Sequence, residues 1–231
     1  MDLAPMLLRS RWLRRIAWPL GRRAVFREVL PLRENELELV APSRERLDAL
    51  MDSVRDPLTR RDAPDLAKLT RSQMKDFLAS SPGGRQLKNA GEGVKIAYHF
   101  WLINHERPNL PVAGSICLRV GRSVDLQRYF GHFGYHVYPA HRGRHFAERA
   151  VRLLLPLARD HGIDPIWITC NPGNYASRKT CTRLGATWID TVDVPVSHPL
   201  ALKGEIVKCR YRLDAGAEQK KDKQPDTNAA G

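Results

Sequence analysis

The residues best suited to chemistry lie in one basic segment, Gly134–Ala147, which reads Gly-Tyr-His-Val-Tyr-Pro-Ala-His-Arg-Gly-Arg-His-Phe-Ala. A strand pattern precedes the basic part of this segment, and an amphipathic helix pattern begins at about Phe146. The first four amides of a helix have no internal partner and the helix dipole is positive there, so this arrangement predicts a phosphate-binding site. Arg142 and Arg144 add positive charge beside those amides.

Two patterns in this part of the chain resemble the signature of the GNAT N-acetyltransferase superfamily. The first is Val137-x-Pro139-x-x-Arg142-x-x-His145-x-Ala147, and the second is Asn174-x-Ala176-Ser177 followed by Leu184-Gly185. The resemblance implies an α/β fold of mixed α+β type, with a splayed mixed sheet of six or seven strands and about four helices. It also implies an enzyme that moves the acetyl group of acetyl-CoA to a primary amine by direct transfer in a ternary complex.

By the same resemblance, acetyl-CoA is the co-substrate, and its pantetheine arm lies between the strands around Val137 and Ile168. The residues expected to bind it are Val137, Arg142, Gly143, Arg144, His145, Phe146, Ala147, Asn174 and Ser177. No metal is expected, because the four cysteines are scattered along the chain without the close pairing of a zinc site.

The chain departs from the family pattern at His145, where a glycine usually lets the backbone approach the pyrophosphate. A side chain at this position could crowd that approach. We expect His145 to fit because its φ is negative and its ring lies outside the loop.

Three side chains are candidates for moving protons. Cys181 occupies the position at which many family members carry a tyrosine thought to protonate the departing thiolate, so it is the candidate acid; the alternative is a small core residue. His132 lies about where some family members place a base, and His136 is on the same strand face. An imidazole with an ordinary pKa near 6.5 suits a base, although strand histidines are also common at the surface or in the core.

The rest of the chain supplies an α/β pattern that can position these residues. Strands are predicted at Leu37–Val40, Val94–Ile103, Val112–Val120, Phe130–Tyr138, Ile166–Cys170, Thr187–Val192 and Ile206–Leu213, and helices at Arg44–Ser53, Leu66–Ala79, from about Phe146, and from Asn174 to Gly185. In the last strand, apolar residues alternate with Lys and Arg, which indicates one covered face.

We divide the chain into a basic arm (1–33), an acetyltransferase domain (34–214) and a polar tail (215–231) predicted to be disordered. In the arm, Trp12, Leu13, Ile16 and Leu20 fall on one side of a predicted amphipathic helix. Such a helix could pack on its own subunit or on the second subunit of a homodimer, or contact a membrane surface or nucleic acid.

The formal net charge is +13, and the arm alone has eight arginines against two acids. No stretch approaches the roughly 20 apolar residues of a transmembrane helix, and no signal peptide precedes the cysteines, so we expect a cytoplasmic protein with free thiols. The positive charge suits coenzyme A, but it suits RNA equally. The alternative hypothesis is therefore a non-catalytic GNAT-like protein that binds RNA or another anionic partner.

The acceptor is not encoded in any motif. A longer acyl-CoA as donor, or a protein N-terminus as acceptor, also agrees with the patterns. The positive net charge disfavours a highly cationic acceptor, unless acids such as Asp125, Asp190 and Asp193 gather at the mouth of the pocket.

Overall fold

The computed structural model describes residues 15–16, 26–27, 32–87 and 94–214. The strands are β1 (Arg15–Ile16), β2 (Phe26–Arg27), β3 (Leu32–Glu34), β4 (Leu37–Val40), β5 (Arg85–Leu87), β6 (Val94–Asn104), β7 (Val112–Gly121), β8 (Phe133–Val137), β9 (Ile166–Cys170), β10 (Thr187–Asp193) and β11 (Val207–Leu213). The α-helices are α1 (Leu47–Arg55), α2 (Pro57–Asp62), α3 (Pro64–Ala67), α4 (Arg71–Ser80), α5 (Phe146–Asp160) and α6 (Tyr175–Arg183).

Six strands form an antiparallel sheet in the order β3-β4-β6-β7-β8, and β5 pairs with β6 beside β4. Its centre is the long pair β6 and β7, which are rich in β-branched and aromatic residues that favour strands. In β7, Gly114 lies so close to β8 that a Cβ atom would collide with the carbonyl oxygen of His136. A glycine is therefore needed there for the two strands to approach.

A second sheet has the order β10-β11-β9, also antiparallel. Helix α5 packs one apolar stripe into the core shared with both sheets, as its helical period predicts. The residues of that stripe are all buried: Ala147, Ala150, Val151, Leu154 and Ala158. The mixed α/β class predicted from the sequence is thus confirmed, with nine of the described strands divided between these two sheets and β1 and β2 paired separately.

The two sheets meet at His132 and Trp167 and then diverge. The backbone N–H of His132 donates to the carbonyl of Trp167 (2.7 Å), and the N–H of Trp167 donates to the His132 ring (2.8 Å). Beyond this point β8 and β9 share no backbone ladder, so β8 is the edge of its sheet. The gap that opens between the two strands is the region in which the site lies.

The predicted strands and helices correspond closely to those observed, with two differences. The predicted strand Phe130–Tyr138 begins only at Phe133, because a π-helical turn, Leu126–Phe130, precedes it. The predicted helix Leu66–Ala79 is split into α3 and α4, because Thr70 forms a capping box with Gln73 and starts a new helix.

The predicted helix of the basic arm is wrong where the structure describes it. Arg15–Ile16 is a short strand that pairs antiparallel with Phe26–Arg27. A helix of about nine residues is marginal without a packing partner, and Ile and Phe favour strands. The remainder of the arm helix, with Trp12, Leu13 and Leu20, and the C-terminal tail lie outside the described residues.

Candidate active site

The first feature of the site is a cleft of about 680 Å³ between the end of β8, the start of α5 and the start of α6; we call it the cofactor cleft. Eight of the nine residues predicted to bind acetyl-CoA line it: Val137, Arg142, Gly143, His145, Phe146, Ala147, Asn174 and Ser177. Arg144 does not line it, because its guanidinium is ion-paired with Glu106 on the neighbouring loop. The volume of the cofactor cleft is within the range of ligand pockets, about 300–1,000 Å³.

The charge of the cofactor cleft suits a polyanion. Arg142, Lys179 and Arg183 line it, and none of its described lining residues is Asp or Glu. The N-terminus of the 15-residue helix α5 opens onto the same space and adds the positive end of its dipole. Cationic side chains and unpaired helix amides on one wall fit the phosphates of coenzyme A.

The loop before α5 contains a correction to the sequence analysis. His145 has φ +57° and ψ 23°, which is the left-handed conformation, so the expected negative φ is wrong. The loop must reverse sharply before α5, and this shape is the one that glycine adopts at no steric cost. The His145 side chain is exposed and borders the cofactor cleft.

The opposite wall of the cofactor cleft is the start of α6. Asn174 caps this helix by accepting a hydrogen bond from the backbone N–H of Ser177 (3.0 Å). The Ser177 hydroxyl lies 2.9 Å from the hydroxyl of Tyr135 on β8. A side-chain hydrogen bond therefore joins the two walls across the gap between the sheets.

A second cleft, of about 380 Å³, lies on the other face of β8; we call it the apolar cleft. Its walls are mainly apolar side chains from α3, α4, β6 and the loops next to them, and these include Leu66, Leu69, Met74, Phe77 and Trp101. Arg119 is the one Arg or Lys side chain among the described residues that line it, and none of them is Asp or Glu. This cleft suits a ligand with an apolar body.

A third cleft, of about 340 Å³, lies between β8 and β9 and is polar. Lys208 is buried there, donates to Asn171 (2.7 Å) and is ion-paired with Glu205. Arg119 lines this cleft as well as the apolar one. The guanidinium of Arg119 is therefore accessible from two sides.

The clefts meet at two residues of β8. Tyr135 lines all three clefts, and His136 lines both the cofactor cleft and the apolar cleft. Burial raises the pKa of the Tyr135 phenol, so it remains protonated at neutral pH. Partial desolvation and the nearby charge of Arg142 lower the pKa of His136, so its imidazole is in the neutral form at neutral pH.

The backbone of β8 presents donors at the same place. The N–H of Tyr138 donates to Ala113 of the neighbouring strand (2.8 Å), and antiparallel ladders alternate in the side to which they bond. The N–H groups of Tyr135 and Val137 therefore point away from β7, towards the open edge. Such an edge can donate hydrogen bonds to an extended ligand or to a developing oxyanion.

His132, the candidate base from the sequence, lies elsewhere. Its ring is buried, its Nδ1 accepts from the N–H of Trp167, and its Nε2 donates to the carbonyl of Gly121 (3.3 Å). Burial lowers its pKa to about 4, and it lines none of the three clefts among the described residues. These contacts favour a structural role at the junction of the two sheets.

Cys181, the candidate acid, is fully buried on the inner face of α6 and does not line the three clefts that the structure describes. Burial raises the pKa of its thiol to about 12. The Tyr135 hydroxyl, on the opposite wall, is the group that lines the cofactor cleft. Sequence reasoning missed Tyr135 because a tyrosine in a strand carries no motif, although its position two residues before Val137 was visible.

The described residues include no group of three or more His, Cys, Asp or Glu side chains arranged to hold a metal ion. In the same part of the chain, no helix has both the length and the apolar character required to cross a membrane.

The structure thus combines two diverging sheets with a cleft lined by cationic side chains and by the start of helix α5. The family model described as acetyltransferase (GNAT) domain matches residues 36–187. Because this match covers more than half of the sequence, the chain belongs to the GNAT acetyltransferase family. No curated protein sequence matches it.

Solved structures show the same fold at low sequence identity. A GNAT-family acetyltransferase from Bordetella pertussis is 19% identical, with a TM-score of 0.54 over 80% of this chain and 99% of that one. The microcin self-immunity acetyltransferase MccE, in complex with acetyl-CoA and AMP, is 17% identical. Its TM-score is 0.56, and the match covers 78% of this chain and 93% of that one. RimL, the ribosomal L7/L12 α-N-protein acetyltransferase, in complex with coenzyme A, is 16% identical. Its TM-score is 0.55, and the match covers 80% of this chain and 99% of that one.

Proposed function

We propose that this protein is an N-acetyltransferase that moves the acetyl group of acetyl-CoA directly to a primary amine in a ternary complex. The observation that carries the proposal is the meeting of two clefts of different character at Tyr135 and His136, on the open edge of β8. One cleft suits a polyanionic donor and the other an acceptor. Family membership and neighbours solved with acetyl-CoA or coenzyme A support the choice of donor.

The donor would be held mainly by backbone and by side chains of three elements. The N-terminal amides of α5 and the side chain of Arg142 bind its phosphates, and Asn174 and Ser177 shape the wall formed by α6. The open N–H groups of β8 bind its extended arm as a further strand would be bound. When bound, acetyl-CoA supplies the thioester carbonyl that the amine attacks.

The reacting groups need a base, an oxyanion donor and a proton donor. We assign the base to His136, which faces both clefts and is neutral at pH 7 because its pKa is lowered. The N–H of Val137 donates to the developing oxyanion, and the protonated phenol of Tyr135 donates a hydrogen bond towards the departing sulfur. The C–N bond forms and the C–S bond then breaks; His136 takes one proton from the nitrogen, and the sulfur leaves as a thiolate, stabilised by the phenol, that takes one proton from solvent.

The proposal is tested first by thermal unfolding with and without acetyl-CoA. Ligand at about 100 times its Kd stabilises the native state by about 2.7 kcal/mol, which is a rise in Tm of roughly 5–10 °C for a domain of this size. Arg142→Ala should weaken this rise, because Arg142 lines the cofactor cleft. Arg144→Ala is the matched control, because Arg144 lies in the same loop but pairs with Glu106 outside the cleft.

A rise that Arg142→Ala weakens and Arg144→Ala preserves supports the donor site, and a screen of amines with acetyl-CoA then tests turnover. No rise in a folded protein would contradict the proposal and favour the non-catalytic binding protein. An equal loss in both variants would show that the loop responds to net charge and not to a specific contact.

A further inference from the structure

We infer that the acceptor is an amine with an apolar body and a carboxylate about 7–10 Å from the amine, and that Arg119 binds this carboxylate. The inference rests on the proposed function and specifies its acceptor. Neither the family match nor the similar structures assign an acceptor to this chain.

Arg119 forms no ion pair in the described part of the chain, and the one carboxylate that lines the polar cleft with it, that of Glu205, is paired with Lys208. Its Nη1 donates to the carbonyls of Phe130 (3.3 Å) and Gly131 (3.2 Å), and none of the ion pairs among the described residues includes it. The two backbone bonds hold one edge of the guanidinium in place. A planar guanidinium fixed on one edge can present its other N–H groups to a carboxylate.

The position of Arg119 is set by Gly134. The Nη2 of Arg119 lies 2.9 Å from the place that a Cβ atom at residue 134 would occupy. The guanidinium therefore lies over β8, one residue before Tyr135, between the apolar cleft and the polar cleft. A glycine at this position gives the guanidinium its access to both.

The apolar cleft disfavours a cationic acceptor. Its described lining has one permanent cation, Arg119, and no acid, so a polyamine or a lysine-rich segment would find no partner there. The acids that could have gathered at the pocket mouth do not line the three clefts: Asp190 is paired with Arg210 (2.5 Å), and Asp125 and Asp193 also lie elsewhere. A single carboxylate matches the single positive charge.

The spacing follows from the strand. A strand advances about 3.3 Å per residue, so His136 and Val137 lie about 7 and 10 Å along β8 from Gly134. An amine attacking near the Val137 N–H while its carboxylate contacts Arg119 must therefore span about 7–10 Å. An α-amino acid is too short for this, whereas an ω-amino acid or a short peptide with an apolar side chain is long enough.

The experiment compares two acceptors that differ in one group, 4-(aminomethyl)benzoate and 4-(aminomethyl)benzamide. We expect the acid to have a kcat/KM at least about 10-fold higher, mainly through KM, because a charge-assisted bond is lost in the amide. Arg119→Gln should remove that preference, and Arg119→Lys should keep part of it. Gly134→Ala should weaken it by displacing the guanidinium without removing its charge.

The control is Arg122→Gln. Arg122 also donates to a backbone carbonyl, that of Gly162 (2.7 Å), but it lines none of the three described clefts. Arg122→Gln should therefore leave the preference for the acid over the amide unchanged. Equal use of the acid and the amide by the wild-type protein, or an equal loss for both in Arg119→Gln, would overturn the inference, because Arg119 would then only hold the Phe130–Gly131 turn.

A binding measurement separates this inference from the proposed function. In the presence of coenzyme A, 4-methylbenzoate, which has no amine, should bind the wild-type protein in calorimetry and should bind Arg119→Gln at least about 10-fold more weakly. Such binding supports the carboxylate site even if neither amine is acetylated. Its absence, in a protein that binds acetyl-CoA, overturns the inference and leaves the donor site intact.

Discussion

The hydroxyl groups of Tyr135 and Ser177 lie 2.9 Å apart and join β8 to α6 across the gap between the two sheets. Both line the cofactor cleft, whereas Cys181, one helical turn further along α6, is fully buried. The phenol of the strand therefore lines the cleft, whereas the thiol of the helix does not. This relationship replaces Cys181 with Tyr135 as the proposed donor to the departing sulfur.

Tyr135→Phe should lower kcat by about 10²-fold, while the affinity for acetyl-CoA changes little, because only the hydroxyl is removed. Steady-state kinetics together with thermal shift by acetyl-CoA measure the two effects. The control is Tyr98→Phe, which removes another buried hydroxyl, hydrogen-bonded to His161 (2.8 Å) and outside the clefts that the structure describes. A normal kcat for Tyr135→Phe would exclude the phenol from the chemistry.

His136→Gln should lower kcat by about 10²-fold and remove the acidic limb of the pH profile. The base must be neutral to act, and the pKa of His136 is lowered. The midpoint of the acidic limb in the wild-type pH profile should therefore lie below the ordinary histidine value of about 6.5. Rates are compared at equal concentrations of neutral amine, so that titration of the acceptor does not contribute. His105→Gln is the control and should leave the profile unchanged, because His105 pairs with Glu38 and lines none of the three described clefts.

The buried ring of His132 should make the fold sensitive to acid. Its pKa is about 4 in the native state and about 6.5 when unfolded, so below pH 6.5 protons bind the unfolded chain preferentially. Stability should be lost as pH falls from about 6.5 to about 4, by up to about 3 kcal/mol from this residue. His141, also buried with a pKa of about 4, acts in the same direction.

Urea unfolding between pH 4.5 and 7 measures this effect. His132→Asn should be less stable at pH 7, because the ring links both sheets, but its stability should depend less steeply on pH. An unchanged slope would show that His132 does not retain its neutral form in the native state.

His145 should tolerate glycine better than any β-branched residue. At φ +57° an L side chain is strained by about 1–2 kcal/mol, and a branched Cβ is strained further. His145→Gly should therefore unfold at the same urea concentration as the wild type or at a higher one, and His145→Val at a lower one. A variant His145→Val as stable as the glycine variant would contradict the left-handed conformation.

Much of the fold could be predicted because its signals are local. The alternation in β11, the apolar stripe of α5 and the cap at Asn174 depend on neighbours in sequence, and the observed elements begin and end close to the predicted residues. The division of Leu66–Ala79 into two helices depended on the Thr70 capping box, which is also local but was not recognised.

The sequence by itself determined the family pattern and the residues of the phosphate-binding loop, because an anion site at a helix terminus is built from consecutive residues. Only the tertiary structure decided which histidine and which hydroxyl face the clefts. The two-residue period of a strand predicted His132, Gly134 and His136 on one face, but His132 precedes β8 and is buried at the junction with β9, whereas His136 is accessible. The left-handed shape of His145 and the contact of Arg119 with Gly134 likewise depend on how separate segments pack, and sequence spacing does not encode that packing.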